Sequence, residues 1–334
     1  MTAVLFTCAG RRVDMVSAFA RAGATTIAVD TSPLAPTLYH ADLHVLAPRI
    51  DDPAYIPTLR ELVEEHDVRL IVPLTDLDQL LLARSRDELG TRVLLPDAEV
   101  VERVNDKYLA HEFFEANGVQ SPASWLPGAL PDDLDFPVLV KARLGFGSQH
   151  IYRAEDRKHL DFFLQYTSAD SFVQRCCRGE EFSIDIFCDF EGRCLSAIPR
   201  TMIESRGGES IKGMTIKDWD LIKYGAHVAE TLRLAGPATI QCFREADGRH
   251  EVTDVNPRFG GAFPLPLAAG GRYPELAIAL ANGERPEPRL GEFKEGVTMT
   301  RFLSHLCLTA GPDGTLEPFA EDVPEPIASE PGEA

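Results

Sequence analysis

Over the first hundred residues, short apolar runs alternate with amphipathic stretches. Val4 to Cys8, Thr26 to Asp30, Leu43 to Ala47, Leu70 to Pro73 and Arg92 to Leu95 read as buried strands. Val13 to Ala22, Tyr55 to Glu65 and Leu77 to Arg86 read as helices set between some of them. The pattern predicts an open parallel sheet covered by helices. Beyond Asp97 the texture changes. Asp97 to Val104 reads as a short helix, and Asn105-Asp106 caps a second one that starts at Lys107 and stops at Asn117-Gly118. Strands are then predicted at Val138 to Ala142, Phe172 to Arg175, Glu181 to Cys188 and Leu195 to Arg200, followed by an amphipathic helix over Asp218 to Leu232. Late in the chain Tyr273 to Ala281 reads as a helix, and Val297 to Cys307 reads as a last strand.

Two more apolar runs, Ala238 to Cys242 and Glu251 to Val255, flank the turn-forming Asp247-Gly248 and predict a hairpin. In that hairpin Gln241, Asp254 and Asn256 project together, three oxygen donors facing one point. Hard oxygen donors suit Mg2+, which is held by one or two carboxylates and shared with substrate phosphates. Arg258 follows two residues later as a fixed cation able to grip a phosphoryl group or carboxylate in two places. The plainer reading of this stretch is a strand that stops at Asn256-Pro257, with a surface arginine after it.

Lys141 ends a strand beside a loop with two glycines, Gly145 and Gly147, and such a loop exposes backbone N–H groups to a phosphate. It is not a G-x-x-x-x-G-K-[ST] loop, because the lysine precedes the glycines. The first strand's turn, Ala9-Gly10-Arg11-Arg12, lacks the glycines of a dinucleotide site. The amino-terminal sheet therefore reads as a structural lobe, with Arg12, Asp30 and Asp76 in strand-end loops that help to enclose a substrate. Ile198 to Lys212 reads as a basic loop, with Arg200, Arg206 and Lys212 as a candidate anion clamp.

Composition narrows the partners. The chain has 334 residues, 44% of them hydrophobic, and a formal charge of −19, enough for two or three lobes with separate cores. The segment from Gly311 to Ala334 holds seven acids, five prolines and no Lys or Arg, so the rest carries 33 − 45 = −12. That segment reads as a solvated tail. An acidic body disfavours nucleic acid and anionic membrane as main partners. Seven cysteines without a C-x-x-C pair read as reduced thiols in a cytoplasmic protein, and no leader or membrane-spanning run is evident.

Taken in order, these motifs resemble the ATP-grasp superfamily, and within it the carbamoyl phosphate synthetase-like ligases. The likeness runs from about Met1 to Cys307. It rests on Asp106-Lys107, Val140-Lys141 with its glycine loop, the stretch VQRCCRGEEFSIDIFCD, and Gln241 with Asp254-Val255-Asn256-Pro257-Arg258. The fold it implies is α/β and α+β, an open parallel sheet over residues 1–100 followed by a two-lobed ATP-grasp fold. The small lobe would span 101–170 and the metal-bearing lobe 171–310, ahead of the acidic tail at 311–334.

The resemblance implies that Lys107 and Lys141 contact nucleotide phosphates. It implies that Gln174, Cys176 and Cys177 line the adenine hinge, and that Glu181 accepts the ribose hydroxyls. Gln241, Asp254 and Asn256 would hold Mg2+, with Mn2+ as an alternative ion, while Arg258 and Lys141 act in catalysis. Arg12, Arg206, Lys212 and Arg301 would hold an anionic substrate. The implied reaction joins a carboxylate to an amine with ATP, through an acyl phosphate, and relatives often pair, so a homodimer is expected as an option. The rival expectation is a non-catalytic ATP-binding sensor. Two positions depart from the usual pattern: Asp254 stands where relatives usually carry Glu, and Arg175 stands at a hinge position that is commonly acidic.

Overall fold

The computed structural model describes residues 1–145, 150–206, 209–312 and 314–319. Strands β1 (Thr2–Thr7), β2 (Ala24–Asp30), β3 (Leu43–Leu46), β4 (Val68–Pro73) and β5 (Arg92–Val93) form a parallel sheet in the order β3-β2-β1-β4-β5. Helices α1 (Val13–Arg21), α2 (Tyr55–Glu65), α3 (Gln79–Arg84) and α4 (Arg86–Leu89) connect and flank these strands. The apolar runs of β1 and β4 are buried on both faces, which is why they lack alternation. The strand order reverses between β1 and β4, so the loops after these two strands open on one crevice. The helix expected over Leu77 to Arg86 is shorter at its start and breaks at Ser85.

Helices α5 (Ala98–Asn105) and α6 (Lys107–Ala116) lead into the small lobe. Its antiparallel sheet takes β6 (Ser124–Trp125), β7 (Val138–Ala142), β8 (Ile151–Ala154) and β9 (Ser171–Arg175) in the order β6-β9-β7-β8, with α7 (Arg157–Tyr166) against it. Strand β9 thus belongs to the small lobe. The lobe boundary falls after Arg175 rather than at residue 170, because β9 pairs with β7 along five residues.

The large lobe is one antiparallel sheet. It comprises β10 (Glu180–Cys188), β11 (Cys194–Arg206), β12 (Glu209–Thr215), β13 (Gly236–Arg244), β14 (His250–Asn256) and β15 (Thr298–Thr300), in the order β14-β13-β10-β11-β12-β15. Helix α8 (Trp219–Leu232) covers one face. It comes so close that a Cβ on Gly225 would stand 2.7 Å from Ile184. Helices α9 (Pro264–Ala268) and α10 (Tyr273–Ala281) return towards the first domain. There Phe6, Phe19, Phe259 and Phe263 stack edge to face at 4.8–6.1 Å, so the first domain and the large lobe share one core.

Three expectations are corrected. The stretch read as a basic loop is the hairpin of β11 and β12, in which Lys212 pairs with Glu204 across the strands at 2.7 Å. Its Gly207-Gly208 and the side chain of Arg206 lie outside the described residues, as do Gly147 and its neighbours in 146–149. The strand expected over Val297 to Cys307 is only Thr298–Thr300, and Phe302 and Leu303 stand exposed beyond it. The start of the acidic tail is paired: β16 (Leu308–Ala310) and β17 (Leu316–Pro318) form a small ladder.

Candidate active site

The β13–β14 hairpin carries the three residues expected to hold a metal. Gly248 takes φ +85° in the turn, and the register places Gln241 opposite Asp254 and Thr239 opposite Asn256. Directly opposite residues in an antiparallel ladder share a face. Hence Asp254, Gln241, Ser183 and Arg200 form one row across β14, β13, β10 and β11, and Asn256, Thr239 and Asp185 form the next. Asn256 Nδ2 donates to Asp254 Oδ2 at 3.0 Å, and its Oδ1 accepts from Arg258 Nη2 at 3.2 Å. This donor set is all oxygen, with a single carboxylate, and fits Mg2+ shared with phosphates.

Opposite this face stand the two lysines. Asp106 caps α6 through the N–H groups of Tyr108 and Leu109. Arg143 clamps the same carboxylate, with Nη2 to Oδ2 at 2.6 Å, and its carbonyl accepts from Lys107 N at 3.0 Å. Lys107 is thereby held at the base of the glycine loop. Its Nζ donates to Gly145 O at 2.7 Å and lies 3.8 Å from Asp254 Oδ1.

Lys141 comes from β7 and is only 6% exposed. It donates to Gln174 Oε1 at 3.1 Å and reaches Thr253 O at 3.5 Å. Burial pulls its ammonium pKa below the usual 10.5, and the charge of Asp254 opposes that shift. The two lysines of the small lobe and the β13–β14 hairpin of the large lobe therefore come together where the lobes meet.

The hinge between the lobes is fastened by Arg175. It bonds Glu251 closely, reaches Glu245 at 3.3 Å and holds Cys176 O at 3.2 Å. The departure at this position is therefore a local cation for two partly buried acids. Cys177 Sγ lies 3.7 Å from Glu251, and the three groups Cys177, Glu245 and Glu251 come within 4.8 Å of one another. Arg175 already supplies the positive charge there. The Cys177 thiol is pushed up to about 12 by burial and by the Glu251 charge, so it stays protonated at neutral pH.

Gln174 is buried between Lys141 and Ser124, with Nε2 on Ser124 Oγ at 3.1 Å, so it orients the lysine and does not open on the hinge. Glu181 lies within reach of the Lys141 and Arg200 charges. Its carboxyl pKa is raised by burial, and Arg200 and Lys141 moderate the shift.

Of the four residues expected to hold an anionic substrate, three have described side chains; Arg12 and Arg301 meet at the carbonyls of residues 259–261, while Lys212 is paired elsewhere. Arg12 donates to Phe259 O at 3.2 Å and Gly260 O at 3.3 Å, and Arg301 bonds Gly261 O. Lys212 pairs with Glu204. Each of these guanidinium or ammonium groups is engaged by the protein itself. His150 and His227 are exposed, and His150 Nδ1 lies 3.4 Å from the Tyr152 hydroxyl.

Sequence reasoning missed the buried pair Arg200–Asp185, at 2.8 Å with side chains 4% and 5% exposed, which Thr239 also joins at 2.9 Å. The alternation along β10 was its only signal. The reading also missed Arg143 on Asp106, and the pairing of Asp76, whose carboxylate takes Arg258 Nε at 3.0 and 3.2 Å. Gly260 closes this corner, since a Cβ there would lie 2.4 Å from Thr239 Oγ1.

Residues 4–94 match the family described as PylC-like, N-terminal domain, and residues 167–303 match ATP-grasp in the biosynthetic pathway with Ter operon. An ATP-grasp match thus lies over the large lobe, behind a PylC-like amino-terminal domain. The chain is similar to the carbamoyl phosphate synthase large chain of Clostridium beijerinckii, 23% identical over 333 residues, covering 90% of this chain and 31% of that one. The chain thus spans about a third of that curated relative's length.

Among solved structures, a biotin carboxylase complex from Campylobacter jejuni aligns with a TM-score of 0.72 at 16% identity, over 88% of this chain and 73% of that one. The L-amino acid ligase of Bacillus licheniformis aligns with a TM-score of 0.68 at 18% identity, over 88% and 78%. At such identities the likeness establishes the fold. No helix among the described residues is long and apolar enough to cross a membrane.

Proposed function

We propose that the protein is an ATP-dependent carboxylate–amine ligase that works through an acyl phosphate. One observation carries this reading: Lys107 and Lys141 of the small lobe face Asp254 and its neighbours in the large lobe, with Lys107 Nζ 3.8 Å from Asp254 Oδ1. Two cations against an oxygen-donor set where the lobes meet suit the triphosphate of MgATP. Asp254, Asn256 and Gln241 would hold Mg2+ or Mn2+, and the ion would neutralise charge on the β and γ oxygens. Adenine would lie at the hinge by Cys176 and Cys177, with the ribose hydroxyls at Glu181.

In the first step a carboxylate oxygen of the substrate bonds to the terminal phosphorus as the bond to the ADP oxygen breaks. Lys107, Lys141 and Arg258 hold the charge that develops on the phosphoryl oxygens. In the second, an amine nitrogen bonds to the activated carbonyl carbon, phosphate leaves with the C–O bond pair, and the nitrogen loses a proton. The protein supplies no covalent nucleophile. Exclusion of water from the acyl phosphate would fall to the two lobes closing over the substrate.

The rival reading is a nucleotide sensor that binds MgATP without turnover. Incubation with MgATP and pools of amino acids separates the two. Carboxylate-dependent release of ADP and phosphate, with an amide product found by mass spectrometry, supports the ligase. Tight MgATP binding with no turnover in any pool supports the sensor.

A further inference from the structure

We infer that Asp76 is a positioning residue that aims the Arg258 guanidinium, so that the N-terminal domain takes a direct part in phosphoryl transfer; the inference rests on the ligase reading above. The segment that carries Arg258 is bonded from that domain at three of its carbonyls. Pro257 O accepts from Gln79 Nε2 at 3.3 Å, and Phe259 O and Gly260 O both accept from Arg12. The Phe259 ring lies 6.1 Å from that of Phe19 on α1. The backbone on either side of Arg258 is therefore fixed to the loops after β1 and β4.

The side chain is fixed from the same direction. Arg258 Nε donates to both oxygens of Asp76, at 3.0 and 3.2 Å, while Nη2 reaches Asn256 Oδ1 at 3.2 Å. A guanidinium is a rigid planar fork, so holding its Nε edge determines where its Nη edge points. Asp76 takes the edge remote from the oxygen donors and leaves the other turned to Asn256, where the transferred phosphoryl group would lie. Both side chains of the pair are less than 20% exposed, which limits screening by water. Gln79 Nε2 also approaches Asp76 Oδ1, at 3.5 Å, and joins the carboxylate to the Pro257 carbonyl.

Without Asp76 the guanidinium is free to turn on its long stem towards the Asp254 carboxylate, two residues from its present partner Asn256. Misplacement of a positioned group by about 1 Å is enough to cost up to ~10²-fold in rate. A merely structural ion pair would give a different signature: lower stability and weaker MgATP binding, with no special dependence on Arg258.

The test uses the full chain and a double-mutant cycle of Asp76→Asn and Arg258→Ala. Turnover is measured with MgATP and the amino-acid pool that supports ADP release by the unaltered protein, and MgATP affinity is measured by calorimetry. The expected result is a kcat for Asp76→Asn lower by about 10- to 100-fold, with KM and the affinity for MgATP changed less than about twofold. In the Arg258→Ala background, Asp76→Asn should lower turnover no further, because the residue acts through the arginine. Asp76→Glu should recover part of the loss.

Equal losses in both backgrounds overturn the inference, as does full turnover by Asp76→Asn or a parallel loss of MgATP affinity. If the unaltered protein turns over no pool, the ligase reading fails and takes the inference with it. That outcome is distinct from a turnover-competent protein that is indifferent to Asp76.

Discussion

Lys141→Met separates the charge of the buried lysine from its packing. The methionine keeps most of the stem volume and removes the ammonium, which at 6% exposure has lost nearly all its water. Desolvation of such a charge costs several kcal/mol. Against that stand the hydrogen bond to Gln174 Oε1 at 3.1 Å, about 1.5–3 kcal/mol for a charged donor, and a longer, weaker one to Thr253 O at 3.5 Å. Leaving Gln174 Oε1 unpaired in the variant costs about 1–3 kcal/mol, which offsets much of the saved desolvation. The ligand-free stability should therefore stay within about 2 kcal/mol of the parent by urea unfolding.

MgATP affinity should behave differently. Loss of one charge-assisted contact to phosphate, about 1.5–3 kcal/mol, weakens binding roughly ten- to a hundredfold by calorimetry. Ligand-free stability that drops as far as for a truncated core residue, about 3–5 kcal/mol, with MgATP affinity unchanged, would refute the reasoning and make Lys141 a structural residue.

The same residue gives a pH signature. Its folded pKa lies below the usual 10.5, so protonation opposes folding: the stability present above 10.5 is lost as pH falls from there through the folded pKa. A triphosphate beside the amine restores the charge, so MgATP binding at alkaline pH below 10.5 should take up protons. Calorimetry in buffers of different ionisation enthalpy reads this directly, and Lys141→Met should abolish it. Arg258→Ala should lower turnover by ~10²-fold or more, the scale of deleting one charge-stabilising donor, while circular dichroism shows the fold intact. Gly179→Ala should cost about 1–3 kcal/mol in urea unfolding, because its Cβ would stand 1.8 Å from Arg244 O at the hinge and force β10 away from β13.

Local chemistry made part of this site legible from the sequence. The Asp247-Gly248 turn announced the hairpin, but its register alone would set Gln241 against Thr253; a one-residue shift between Gln241 and Cys242, which the sequence did not signal, brings Asp254 opposite Gln241. The cap at Asp106 placed Lys107 at a helix start, since an aspartate oxygen satisfies N–H groups within three residues of it. The parallel sheet of the first domain was visible because strands buried on both faces need uninterrupted apolar runs. Where the signal depended on more than a few neighbours it failed. Ile198 to Lys212 carries glycines and charges like a loop, but β10 on one side and β15 on the other leave its ends extended as β11 and β12.

Hydrogen bonding and periodicity act within about one turn or one hairpin, so the order of residues assigns residue types to elements. Their partners follow from the packing of distant segments. Arg12 and Arg301 looked available for an anion, yet both are engaged by carbonyls of the loop after β14, at sequence separations of 247 and 40 residues. Arg258 meets Asp76 across 182 residues, and Arg175 meets Glu251 across 76. A charged side chain several ångströms long can reach many acceptors. Which one it takes is settled by the packing of domains, here by Phe259 seated against Phe19, and no pattern along the chain encodes that contact.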